Sequence, residues 1–327
     1  MKVKFNEKIS AKKALLVLSL FSIFTSLLCV ILSDFLLPVL VALLAALFCF
    51  EQGDKKIFSY VTAACVLAIN IVGCLFIRQF LLPWAIYALV LAFLIYWFAS
   101  KGKSKMECVF IATIAYAAFI VISFVIFAML QCGDASLAAV SKYYSNIIDK
   151  LRILFVENTY VIYSEAYARA GITFTRDMLF ELFDAIISNV ISFIIIGGFV
   201  CSGIAFKIFQ AITLKYCDDK EYILGWRFTT PSLYAYFYLI LTIVSLFTMS
   251  SVGVLSICVG NLYNVFMVIY AYVGFGFAHA FLSRKRSPVT AYILLLIIVV
   301  LFFNFALEIL AMIGAFGTIR KNKEITA

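Results

Sequence analysis

The sequence predicts an all-α, polytopic transmembrane helix bundle. Three observations lead there. Of the 327 residues, 65% are hydrophobic and only 13% are charged, whereas a soluble domain is about half apolar; mean hydropathy is +1.11. The apolar residues fall into runs, many of them close to the roughly 20 residues that carry a helix across about 30 Å of hydrocarbon. The short alternating segments of a membrane barrel are absent from the sequence. Helices, which satisfy their own backbone groups, are then the structure left to a chain in lipid.

The basic stretch of Lys2, Lys4, Lys8, Lys12 and Lys13 precedes a first span at 14–32. That run continues without a small-residue cleavage pattern and reads as a retained helix rather than a signal peptide. Span two, 35–50, is short and carries Pro38 in its first turn, where a missing N–H costs little. Spans three to five follow at 57–77, 80–99 and 108–130. Trp84 and Trp97 stand near the two ends of span four, where amphipathic rings favour the membrane interface.

A long polar passage, 131–180, then separates a five-span block (1–130) from a carboxy-terminal block (181–327). Within 135–155, Val140, Tyr144, Ile147, Leu151 and Leu154 recur at helical spacing, with Ser141, Lys142, Asn146, Asp149, Lys150 and Arg152 between them. This is the pattern of an amphipathic helix. It either lies over the membrane surface or bundle, or covers a cavity as a lid. Thr175 reads as the N-cap of a second helix, with Asp177 well placed in its first turn. That helix runs on through Leu182 and Asp184 towards span six at 186–206. Span seven, 232–254, opens on Thr230-Pro231, and span eight, 262–282, follows a short turn at Gly260-Asn261. Ser287-Pro288 repeats the cap-and-proline device before the closing stretch, 291–319. At 29 residues that stretch is long for one crossing and short for two. It forms a ninth crossing, turns back near Phe303-Asn304, or ends in an interfacial helix, so the total is eight or nine crossings.

Charge sets the orientation. With the amino terminus inside, inner segments hold 17 Lys and Arg residues and outer segments hold 6, the bias expected of a cytoplasmic membrane protein with its amino terminus in the cytoplasm. Charge also favours a cytoplasmic carboxy terminus, because a ninth crossing would put Arg320, Lys321 and Lys323 outside. The net charge of +9 does not point to nucleic acid, since the basic residues sit between the spans. The partner it implies is the bilayer.

The candidate residues are polar groups inside apolar runs. Glu308 is the only acidic residue deep within one, and Asn304 precedes it by a helical turn on the same face. An ionisable residue at such a position marks a functional site by default; the alternatives are a protonated carboxyl, one paired with a basic group, or one near the lipid boundary if the helix turns back. Asn70, Asn261 and Asn264 either line a polar cavity or form interhelical hydrogen bonds. Gly197, Gly198, Ser202 and Gly203 put small residues in the middle of span six, for close helix packing or an unwound segment beside a ligand. Gly274 and Gly276 raise the same choice. His279, the single histidine, lies near the inner end of span eight and reads as an interfacial hydrogen-bonder. Nine cysteines form no C-x-x-C pair, so neither a metal site nor any other cofactor is expected. No H-E-x-x-H, G-x-S-x-G or phosphate-binding loop is present, and the expectation is a protein that is not an enzyme.

The Thr230-Pro231 opening, the Asn261-Leu-Tyr-Asn264 start of span eight and the closing Gly314-Ala-Phe-Gly317-Thr-Ile-Arg320-Lys321 together resemble the YybS-like family of bacterial polytopic membrane proteins. The resemblance covers about 180–323. It implies a helical architecture comparable with the substrate-binding components of energy-coupling factor transporters, which dock on an ATP-driven membrane module and use outer loops as lids. Two functions follow as expectations. The first is small-molecule binding or transport, with Asn70, Asn261, Asn264, Asn304 and Glu308 facing one cavity. The second is a non-transporting scaffold of envelope assembly or division, in which the same residues are scattered bonds between helices.

Overall fold

Because lipid offers no partner to a backbone amide, each apolar run closes its own hydrogen bonds, and the computed structural model has helices there. It describes residues 11–31, 36–50, 57–76, 81–100, 105–171, 173–216, 230–248 and 253–326. These hold twelve helices: α1 Ala11–Ile31, α2 Leu37–Phe50, α3 Ile57–Phe76, α4 Leu81–Ser100, α5 Lys105–Cys132, α6 Leu137–Arg169, α7 Arg176–Ser188, α8 Val190–Tyr216, α9 Ser232–Thr248, α10 Val254–Leu282, α11 Pro288–Leu301 and α12 Phe303–Thr326. No strand occurs among the described residues. Four helices contain segments long and apolar enough to cross a membrane: Lys12–Ile31, Met106–Cys132, Val190–Thr213 and Val254–Leu282. The basic tail before Ala11 and the Ser33-Asp34, Glu51–Lys56 and Arg78 turns lie outside the described residues.

The helices divide into two compact units, one within Met1–Ala117, Ile195–Ile240 and Phe266–Ala327, the other within Ala118–Ile194 and Leu241–Val265. In the first unit, α2 packs against α1 and α4 and is apolar all round. Val41, Ala42, Leu44, Ala45, Ala46 and Leu47 are fully buried, as expected of a helix that has no polar face to show. The neighbouring α1–α3 contact is polar instead. Ser19, Ser22 and Ser26 recur on one face of α1, with Ser59, Thr62 and Asn70 on one face of α3, and all six are buried. Small hydroxyl side chains let two backbones approach in lipid, where close packing drives association.

The closing stretch is not one helix. It breaks at Phe302, whose backbone leaves the helical region (φ −123°, ψ 42°). The first part, α11, runs antiparallel to α10: Phe275 meets Tyr292, and His279 Nε2 lies 3.0 Å from the Pro288 carbonyl. The second part, α12, runs parallel to α10, since Gly274 meets Gly314 and Phe277 meets Gly317. Thr318 and Thr230 hydroxyls stand 3.4 Å apart at the start of α9. Arg320 therefore lies on the same side of the unit as Thr230 and the Ser283–Ser287 turn. The two glycines permit this return. A Cβ on Gly274 would overlap the Leu310 carbonyl, and one on Gly314 would overlap the Tyr270 carbonyl.

In the second unit, α5 ends at Gly133, whose positive φ of 64° suits the one residue without a Cβ. Ser136 then caps α6, its hydroxyl accepting from Ala139 N at 3.2 Å. The Tyr144 hydroxyl donates to the Phe124 carbonyl at 2.6 Å. Burial, then the adjacent Tyr143, holds that phenol above its ordinary pKa, so it remains a donor. Helix α6 pairs with α7 as a hairpin held by Arg152–Asp184 and Arg176–Glu157 ion pairs. The Arg152 guanidinium also covers Phe180 and that of Arg176 covers Tyr160, each 4.9 Å from the ring centre. Thr175 caps α7 as expected, accepting from Met178 N.

Three sequence expectations change here. The inner face of α6 turns through Ile148, Arg152, Phe155 and Val156, leaving Leu151 and Leu154 exposed, because Arg152 is drawn inward by Asp184 and Phe180. Gly260 and Asn261 belong to α10 rather than to a turn, as that helix begins at Val254. Helix α7 does not continue smoothly into the next span but breaks at Asn189.

The crossing of α10 and α12 gives a direct check. A Cβ at Gly276 meets open space, so G276A leaves stability unchanged or raised by up to about 1 kcal/mol through helix propensity. G274A overpacks the crossing and costs about 1–3 kcal/mol. Thermal unfolding of the two variants in detergent should separate them, with only G274A lowering the midpoint.

Candidate functional site

The break at Asn189 is where the polar residues converge. In a continuous helix the Ser192 N–H would bond the Ser188 carbonyl, four residues back. Instead the Asn261 amide on α10 stands between them. Its Oδ1 accepts from Ser192 N at 2.8 Å, and its Nδ2 donates to the Ser188 carbonyl at 2.7 Å and to its own Ile257 carbonyl at 2.8 Å. One side-chain amide thus replaces a missing backbone bond. Asn264, a turn further on, donates to Asn189 Oδ1 at 3.0 Å, and Asn189 Nδ2 donates back to the Ala185 carbonyl at 2.8 Å. The Ser192 hydroxyl donates to the Asn189 carbonyl at 2.8 Å. Buried backbone groups in lipid cannot be left open, so this cluster is what makes the break tenable. Asn261 has most of its hydrogen-bonding capacity committed to it, and Asn264 commits one N–H.

Asn70 belongs to the first unit, whereas that cluster belongs to the second. It is buried on α3 and donates to Ser26 Oγ at 3.0 Å and to the Val66 carbonyl at 2.7 Å. The Asn304 side chain lies outside the described residues. Glu308 is exposed on α12, and no described residue pairs with it. It begins a shallow groove lined by Ile309, Met312, Ile313, Phe316, Gly317 and Arg320, all from the one helix. An ionised side chain at mid-helix in hydrocarbon costs several kcal/mol unless it is paired or reaches water.

The small residues of span six serve packing unequally. Gly198 takes the ring of Tyr116, whose Cδ1 would lie 2.8 Å from an added Cβ. Gly197 faces the Tyr116 hydroxyl, whereas Gly203 meets open space. Ser202 is fully buried. The ring of Tyr116 also meets Tyr87 and Trp84, with centroids 5.3 and 6.4 Å away, so Gly198 admits an aromatic cluster rather than another backbone. The contact that does bring backbones together is Gly274 with Gly314. His279 bonds a carbonyl, in keeping with a hydrogen-bonding role. Among the described residues no group of three or more His, Cys, Asp and Glu is arranged to hold a metal ion.

Sequence reasoning missed Asn189 and Ser192. Their signal was available only as a polar Ser188-Asn189 step at the head of an apolar run, which resembles any helix-entry turn. The sequence pattern sets Arg152 on the polar side of its helix, whereas Arg152 and Arg176 each bridge α6 and α7.

Residues 14–317 match the model of the family described as predicted membrane protein, DUF2232, and the chain belongs to that family. No curated protein and no solved structure matches it. The family and the apolar helices together make it a multi-pass membrane protein of unknown function.

The asparagines differ in what they protect. N70L removes bonds that Ser26 can replace with its own helix carbonyl, and the expected loss is about 1 kcal/mol, in the range of interhelical hydrogen bonds in membranes. G198A forces the Tyr116 ring to move and costs about 1–3 kcal/mol, whereas G203A is neutral. Chemical denaturation in mixed micelles measures all three, and a neutral G198A would contradict the packing assigned to Tyr116.

Proposed function

For this member of the DUF2232 family we propose a non-catalytic, non-transporting scaffold of envelope assembly or division in the bacterial cytoplasmic membrane. The YybS-like resemblance of the carboxy-terminal half accords with that setting. Ten helices embed in the bilayer in this reading: α1–α5, α8–α10 and the α11–α12 pair that enters and returns. Both termini are cytoplasmic. The basic residues of the Ser283–Ser287 turn and those of Arg320–Lys323 then share the inner side, as the charge bias favours. Helices α6 and α7 form an arm on the outer side.

One observation carries the proposal: the amides of Asn70, Asn261 and Asn264 bond to the protein itself, Asn70 within the first unit and the other two within the second. A solute site needs convergent polar groups that remain open to the ligand. The transport reading, in which the chain would bind a small molecule and dock on an ATP-driven module, requires those amides to be released. The arm supports the scaffold reading as well. Two ion pairs and two cation–ring contacts brace it, which suits a fixed platform better than a lid that must open.

Purification from native membranes in mild detergent, followed by mass spectrometry of retained small molecules and chemically cross-linked neighbours, tests the proposal. We expect no stoichiometric solute and cross-links from the arm to envelope-synthesis or division proteins. A stoichiometric solute, or co-purification of an ATPase pair with its membrane subunit, would overturn it.

A further inference from the structure

Two hydrogen-bonded contacts set the depth at which the arm of α6 and α7 leaves its neighbours. The Tyr144 hydroxyl meets the Phe124 carbonyl of α5, and Asn261 of α10 holds Ser188 and Ser192 at the end of α7. Phe124 is the twentieth residue of α5, counted from Lys105. Asn261 is the twenty-second residue of α10, counted back from Leu282, which the basic Ser283–Ser287 turn follows. At about 1.5 Å per residue each contact lies roughly 30 Å along its helix, one hydrocarbon thickness from a basic end. Both roots of the arm therefore stand at the boundary between hydrocarbon and headgroups. Helices α5 and α10 continue past it by about two turns.

The arm has two unlike sides. Arg152, Phe155 and Tyr160 face α7, and Arg176, Phe183 and Asp184 face α6. At 3.6 residues per turn, Leu151 and Ile162 stand about a quarter-turn to one hand of that contact on α6. Leu182 and Ile186 stand to the same hand on α7. In antiparallel helices, equal rotations of this kind fall on the same side of the hairpin. All four side chains are exposed, and the polar residue among them is the uncharged Asn158. Rotation to the other hand gives the opposite side, which carries Asp149, Glu157, Asp177 and Glu181 around Ile153. With seven charged residues, α6 cannot itself cross the hydrocarbon.

We propose that the arm lies along the membrane surface, its apolar side seated in the lipid of the leaflet next to Phe124 and its acidic side in water. Depth selects lipid as the occupant. Both roots leave the helix bundle at the level of the headgroups, so the apolar side begins where acyl chains are already present. A surface-lying amphipathic helix buries its apolar face about 5–10 Å into that boundary. An arm standing upright would instead hold Leu151, Ile162, Leu182 and Ile186 in water as one exposed patch. Charge agrees with depth, because the four carboxylates point away from the acyl chains. The inference goes beyond the scaffold reading and does not rest on it. It needs only the multi-pass setting, and it leaves the acidic side as the one presented to soluble partners.

The test reconstitutes the full chain, with its native cysteines replaced, in nanodiscs of phosphatidylcholine. A fluorophore is attached to I162C or D149C on α6, and to L182C or E181C on α7, all exposed positions. Quenching is measured with lipid that carries a nitroxide near the glycerol end of its acyl chain, and separately with aqueous iodide. The proposal expects lipid nitroxide to quench I162C and L182C severalfold more than D149C and E181C, and iodide to reverse that order. A pair on each helix keeps the contrast independent of the folding of any one variant. Equal lipid quenching on the two sides, or iodide reaching I162C and L182C as freely as the acidic side, overturns the proposal. So does disulfide linkage of I162C between copies in nanodiscs holding two, which would assign the apolar side to self-association. These readings do not depend on whether a solute is retained on purification. A retained solute removes the scaffold reading alone, and a failed quenching contrast removes only the lipid contact of the arm.

Discussion

The side-chain amide of Asn261 holds open a helix that would otherwise close. It accepts the Ser192 N–H and donates to the Ser188 carbonyl, the two groups that a continuous helix would join. The primary amide is chemically a peptide group on a short stem, so it satisfies both at nearly their usual energy and spares the cost of an orphaned pair. The geometry of the second unit follows from that substitution. The chain can leave α7 and enter α8 along a new direction, and the arm of α6 and α7 is aimed by a residue in neither. Asn264 and Asn189 reinforce the same point.

The arm is then stiffened by contacts of its own. Arg152 and Arg176 each combine a carboxylate with an aromatic face. At the far end, Phe174 stacks on Tyr167 and Tyr160 with centroids 4.5 and 6.1 Å apart. Exposed ion pairs contribute little alone, but guanidinium planes laid on rings add area and direction. In the first unit, stiffness has another origin. Helix α2, buried over Leu40–Leu47, is held by shape, and α10 and α12 meet through glycines so closely that no side chain fits between them. Both devices produce fixed contacts.

Much of this was legible in the sequence, for definable reasons. Helical class follows from hydropathy and from the impossibility of open backbone in lipid. The caps at Thr175 and Ser287 follow from side-chain oxygens that reach the first free amides, a local geometry that needs no tertiary information. The break at Phe302 was legible only through length, which allowed a turn back near Phe303-Asn304. Neither Gly nor Pro marks it, and the return it begins is completed by the Gly274–Gly314 crossing, which joins residues forty positions apart. Glycines 274 and 314 were visible as small residues, but their pairing was not. The face of α6 was misread at Leu151 and Leu154 because hydrophobic periodicity places arginine outward by default, whereas Arg152 has both a carboxylate and a ring to meet it. Likewise Asn261 looked like a turn residue beside Gly260. Only the position of α7 shows what its amide is for.

The account stands most directly on Asn261, and one distance measurement addresses it. With other cysteines replaced, spin labels on the exposed native Cys258 of α10 and on E165C of α6 report the arm's position by pulsed electron resonance. In the wild-type chain a single narrow distribution is expected. In N261L, a substitution of similar volume, the Ser188 and Ser192 groups lose their partner and recover it only by closing the helix through Asn189. The predicted result is a shifted distance or two populations, with N70L unchanged as a control. An identical narrow distribution in N261L would show that the arm is aimed by something other than this amide, and would contradict the assignment of the buried asparagines to architecture.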